Sequence, residues 1–242
     1  AYEIPLRLVG SEMCIRDRLL ISGIIFPFLS KTSGKKENNF NTNLTLGIKR
    51  YLSISELKGL MFLNLAVSAG GSMILVNTII LVRSSLELSE IAFSITMLIF
   101  GAGCIFAAII IPYLSKEMTA SRIMLAGSNL LSLVFVTLAF WLILFDFIWF
   151  VLLAAWFISG FGYTLLLTPM GRVIRKVSSV DEFSQVYSAQ FSLSHLCWLF
   201  MYPLSGYLMT ISGGSFTLLT LALLMVCSVS YTHLTLPTTP YV

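Results

Sequence analysis

Phe183 to Ile211 reads FSQVYSAQFSLSHLCWLFMYPLSGYLMTI, 29 residues without an Asp, Glu, Lys or Arg. As a helix, a run of this length crosses the roughly 30 Å hydrocarbon core of a bilayer. Gln190, His195, Trp198 and Tyr202 lie inside it, and Pro203 and Gly206 interrupt its last third. Phe191, His195, Trp198 and Tyr202 follow the i, i+4, i+7, i+11 spacing that aligns one face of a helix. A polar, aromatic stripe on a spanning helix faces protein or a water-filled cavity rather than lipid.

The rest of the chain has the same character. Hydrophobic residues make up 57% and charged residues 11% of its 242 residues, against about 25% charged in a soluble domain. The class is therefore an all-α polytopic transmembrane helix bundle. Cys104, Cys197 and Cys227 sit within apolar runs, as small buried side chains do, and outline no disulfide framework.

Complete spans are expected at about 59–82, 91–115, 123–145, 147–171 and 183–211, with a shorter one at 216–229. Residues 19–30 read as the remnant of a further spanning helix. Residues 31–58 read as a polar linker, with Ser53 as the N-cap of a short helix and Glu56 three residues on. Pro169 breaks the fourth span near its end, and Arg172 to Glu182 follows as a basic loop. Residues 1–18 and 230–242 differ abruptly in composition from what they adjoin. RLVGSEMCIRDR and SYTHLTLPTTPYV resemble translated sequencing-adapter read-through, so both ends are expected to be non-native.

Loops 31–58, 116–122 and 172–182 carry 6, 2 and 3 basic residues, and the alternate loops 83–90, 146 and 212–215 carry 1, 0 and 0. This asymmetry puts the first set in the cytoplasm. Ala66-x-x-x-Gly70, Gly103-x-x-x-Ala107, Ala155-x-x-x-Ser159 and Ser188-x-x-x-Ser192 are small-xxx-small pairs that let helices approach closely. Gly70, Gly71, Gly101, Gly103, Gly160, Gly162, Pro203 and Gly206 are expected to serve packing or to act as hinges.

His195 is the sharpest chemical candidate. An ordinary histidine pKa near 6.5 allows it to take and release a proton. The alternative is a structural histidine bonded to Gln190 or to a serine on a neighbouring helix. Asn64, Asn77, Asn129 and Gln190 are amides inside spans, able to bind a polar substrate or to tie helices together. Asn77 and Gln190 are the better cavity candidates among them. Trp198 and Tyr202 can stack on a ligand or simply pack.

Enzyme chemistry finds no support. His195 and Cys197, two apart, point to different sides of a helix. There is no His-Glu-x-x-His, no Gly-Lys-Ser/Thr phosphate loop and no intramembrane carboxylate pair. No metal, cofactor or nucleic acid is implied.

Asn64 to Gly71 (NLAVSAGG) with Val76-Asn77-Thr78, Gly160 to Arg175 (GFGYTLLLTPMGRVIR) and Ala189 to Gly206 (AQFSLSHLCWLFMYPLSG) resemble helices seven, ten and eleven of a major facilitator superfamily (MFS) transporter. The resemblance covers about residues 19–229. It implies the carboxy-terminal six-helix half of such a protein, built of two inverted three-helix repeats, with an amino-terminal half as its missing partner. The first, second, fourth and fifth complete spans would then supply cavity or gate surface, and the third and sixth would face outward. Pro112 to Arg122 (PYLSKEMTASR) keeps Lys116 and Arg122 of a family loop motif but lacks its Gly and Asp. Those two residues, with Arg172 and Arg175, are the cytoplasmic gate candidates. The resemblance further implies alternating access in a bacterial cytoplasmic membrane, with proton-coupled efflux of a small molecule. A non-transporting membrane scaffold or sensor subunit is the alternative.

Overall fold

The computed structural model describes residues 40–145, 147–179 and 182–235, and among them every regular element is a helix. The expectations for residues 1–18, 19–30 and 236–242 lie outside the described residues.

Helix α1 (Phe40–Ser53) occupies much of the stretch read as linker. Ser53 does not start the next helix. Its hydroxyl donates to the Arg50 carbonyl at 2.7 Å, so it finishes α1. The extended backbone of Ile54 (φ −96°, ψ 125°) separates the two helices, and α2 begins at Ser55. Helix α2 (Ser55–Ser72) runs on through two π turns, Met73–Asn77 and Leu81–Ser85. It thus starts four residues before the expected Gly59 and ends beyond Val82.

Helix α3 (Glu90–Glu117) starts at Ser89, whose hydroxyl accepts the Ala92 N–H. Helix α4 (Ala120–Leu144) starts in the same way at Thr119, which accepts the Arg122 N–H. Such caps satisfy one of the free N–H groups that open every helix. Helix α5 (Trp149–Leu167) stops just before Pro169, which has no N–H to continue the ladder.

The expected basic loop is in part a helix, α6 (Met170–Val177). Its bonds restart at the Pro169 carbonyl, which accepts the Arg172 N–H at 3.0 Å. Met170, Val173 and Ile174 are buried, while Arg172, Arg175 and Lys176 are exposed. Three apolar residues facing inward hold the segment in a helix that its basic composition conceals.

Helix α7 (Phe183–Thr235) is two limbs that meet at Gly213, where φ is +74° and ψ 178°. Side chains rarely occupy that region, and the cost there is about 1–3 kcal/mol. Gly213→Ala should lower the thermal midpoint accordingly, while alanine at Gly101, inside a regular helix, should not; equal midpoints would refute the assignment. The first limb runs alongside α2. The second returns, with Gly214 near Leu81, Gly70 near Met225, and the Phe62 and Tyr231 rings 4.1 Å apart. The backbone does not break at Ser230, and Thr232 is buried.

Among the described residues five helices are long and apolar enough to cross a membrane, the last being α7. With α7 bent, the chain forms an all-α transmembrane bundle. Its interior is held at one point by Trp156, fully buried, whose indole N–H donates to the Thr78 hydroxyl at 2.8 Å. In the most apolar 18-residue window of each, α2 is 72% buried, α4 61% and α3 22%. Within this bundle α2 and α4 are thus the more enclosed helices, and α3 leaves most of its surface uncovered.

The glycine pairs act in packing. A Cβ at Gly103 would stand 2.1 Å from the Phe157 carbonyl oxygen, and one at Gly160 the same distance from that of Phe100. Gly127 and Gly162 approach each other's carbonyls in the same way between α4 and α5. Gly101 meets nothing within 4 Å, and Gly206 makes only an ordinary 3.7 Å approach to Val76. Pro203 lies within the first limb of α7 without ending it.

Candidate substrate groove

A groove of about 420 Å³ opens between α2, the α5–α6 corner and the first limb of α7. Asn64 and Val67 form its α2 wall, and Tyr163, Met170 and Ile174 line the corner. The α7 wall carries Tyr187, Gln190, Phe191, Ser194, His195 and Trp198. These α7 positions repeat at helical spacing, so a single face of the limb presents them. Among the described residues no Asp, Glu, Lys or Arg lines the groove.

The groove reaches from α6, at the basic end of the bundle, to Trp198 at the middle of the α7 limb. Gly71 seats that indole: a Cβ there would lie 2.1 Å from Trp198 Cη2. The Tyr202 ring lies behind it, tilted by 42° with ring centroids 4.9 Å apart, and is not part of the lining.

The polar groups are unevenly satisfied. Gln190, 7% exposed, accepts the Tyr51 phenol proton on Oε1 and offers Nε2 only to the Met170 sulfur, at 3.9 Å. Asn64, 5% exposed, has a buried Nδ2 with no hydrogen-bond partner among the described residues. A buried donor left unmatched costs about 1–3 kcal/mol.

Among the described residues His195 bonds within its own helix rather than to Gln190 or to a serine on a neighbouring helix. Its Nδ1 lies 2.8 Å from the Phe191 carbonyl and its ring 4.1 Å from the Phe191 ring. A carbonyl can only accept, so Nδ1 carries the proton in this bond and Nε2 is left for the groove. The i−4 carbonyl on its own helix is simply the nearest acceptor.

Asn77 lies apart from the groove. It sits fully buried on the first π turn, and its Nδ2 donates to the Ser205 hydroxyl at 2.7 Å and the Ser205 carbonyl at 3.2 Å. It ties α2 to α7, which is why it is not a cavity residue. Asn129 is exposed on α4.

None of the gate candidates lines the groove. Lys116 lies over the Tyr113 ring and Arg175 over that of Phe183, each 5.7 Å from the centroid. Arg122 is exposed in the first turn of α4 and Arg172 on α6. An ion pair between Arg50 and Glu182, 3.3 Å, joins α1 to the start of α7 at this end. Sequence reading missed Tyr51 and Tyr163. Tyr51 lay in a polar linker, and Tyr163 in a run chosen for its glycines; a tyrosine directly beside a charged or polar neighbour, Arg50 or Thr164, was the signal available.

A bundle of apolar helices around an uncharged, amide-lined groove fits a carrier of small molecules. The family model described as Major Facilitator Superfamily matches residues 60–241. This chain belongs to the Major Facilitator Superfamily. Members of the superfamily are transporters rather than enzymes, and this one is a multi-pass membrane protein. No curated protein matches the chain.

Proposed function

We propose that this MFS protein is a secondary active transporter that moves a small molecule by alternating access, with proton-coupled efflux across a bacterial cytoplasmic membrane. The observation that carries the reading is the groove. It joins an amide with an unmatched donor, a histidine whose Nδ1 is held by its own helix and an aromatic wall, and it opens toward the basic end. The positive-inside asymmetry makes that end cytoplasmic. The groove is one wall of the pathway, and a second six-helix bundle of the same transporter supplies the other, as in related folds. A scaffold or sensor subunit would need no such groove.

The test uses Ser194→Cys in a chain whose native cysteines are replaced by serine, reconstituted in liposomes. Alternating access predicts that an impermeant thiol reagent reaches this position from the cytoplasmic side. After an imposed pH gradient it should reach it from the opposite side. Labelling from one side under every gradient would reject the reading. With His195→Gln, the pH response should vanish while cytoplasmic labelling persists; an unchanged response would remove His195 from the proton path.

A further inference from the structure

The groove's lining specifies a ligand chemistry, and this step rests on the transport reading above. We infer that the groove takes an uncharged, planar aromatic molecule bearing a carbonyl acceptor, as a carboxamide does. Asn64 is nine-tenths buried and lines the groove, and its buried Nδ2 has no hydrogen-bond partner among the described residues. Gln190, across from it on α7, has its carbonyl oxygen engaged by Tyr51 and its NH2 near only a thioether sulfur, a weak acceptor. Two amide NH2 groups at the groove wall therefore have donor capacity left over, which a carbonyl oxygen on the ligand matches.

The flat walls are Tyr163, Phe191 and Trp198. Aromatic faces take a planar ring by offset or edge contact. Charge is what the lining refuses. Among the described residues no carboxylate, ammonium or guanidinium borders the groove, so on this wall a charged ligand would lose its hydration without an ion partner. A cation over the indole would gain some attraction, but no counter-charge stands behind it in this wall.

The probes are three isosteres: quinoline-3-carboxamide, quinoline-3-carboxylate and 1-methylquinolinium-3-carboxamide. Binding of each to the purified full chain in lipid nanodiscs is measured by equilibrium dialysis at pH 8. The carboxamide should bind at least tenfold more tightly than either ion, and Asn64→Leu should remove most of that preference. Asn64→Gln, which keeps the amide, should retain part of it and guards against a folding defect. Tightest binding by the carboxylate or by the cation would overturn the inference. So would equal binding of all three with no effect of Asn64→Leu, which would mark a merely apolar groove, and so would no binding at all. The side-switching of Ser194→Cys is read independently, so a wrong ligand class and a wrong transport reading give different results.

Discussion

Gly160→Val is expected to cause the largest loss of stability of any single change in this bundle. The position faces the Phe100 carbonyl so closely that a Cβ would sit 2.1 Å from its oxygen. Gly103 faces the Phe157 carbonyl reciprocally, so both sides of the seam are backbone and neither can rotate away. Overpacking a core costs about 1–3 kcal/mol when side chains can adjust, and here they cannot. The seam also bears an unusual share of the attachment of α3, because only 22% of the most apolar window of α3 is buried. In a bilayer there is no hydrophobic drive to bring helices together, and close van der Waals packing does much of that work. Thermal unfolding of the detergent-solubilised protein, followed by size-exclusion chromatography, should show a much lower midpoint or no folded peak. Gly101→Val is the control, since a Cβ there meets nothing within 4 Å. Equal midpoints for the two variants would show that the seam does not hold α3.

The second large effect is expected at the junction of α1 with α7. Three contacts attach α1 there. Gly47 lies against the Gln185 carbonyl, where a Cβ would stand at 2.6 Å. Arg50 pairs with Glu182 at 3.3 Å, with the two side chains 50% and 38% exposed. Pairs this exposed contribute only about 0–1 kcal/mol. The third contact, the buried hydrogen bond from the Tyr51 phenol to Gln190 Oε1, is different. Tyr51→Phe leaves that oxygen without a donor, at a cost of about 1–3 kcal/mol. Gln190→Leu strands the phenol instead, and the double variant should cost less than the sum of the two. Limited proteolysis within residues 40–54 should quicken in each single variant and recover in part in the double. Strict additivity would mean that the two side chains do not interact.

The same junction has a pH signature. Burial, with a smaller contribution from the Cys197 thiol, holds the Tyr51 phenol above its ordinary 10.0. A group whose folded pKa is raised contributes its full stability below the unfolded value and loses it as pH rises beyond. Docking of α1 should therefore be constant up to about pH 10 and weaken above it. In Tyr51→Phe that alkaline weakening should disappear.

Much of this protein was determined by sequence alone, and the reason is the bilayer. A charge-free run long enough to span must bond its backbone internally, so it must be helix. The spans and the turn at Gly213 follow from that constraint. The candidate face of α7 was also legible, because Phe191, His195 and Trp198 share a helical face whatever surrounds it. What packs against a face, however, depends on how neighbouring helices are rotated, and one-dimensional spacing carries no such information. Asn64 and Asn77 looked alike in sequence, with Asn77 the more promising. Tertiary structure turned Asn77 onto Ser205 and left Asn64 lining the groove with an unmatched donor. The glycines read as packing or hinge positions until Phe100 and Phe157 stood opposite Gly160 and Gly103. Basic residues masked the helices α1 and α6, because inward-facing residues such as Tyr51, Val173 and Ile174 gain their stabilisation only from partners distant in the chain.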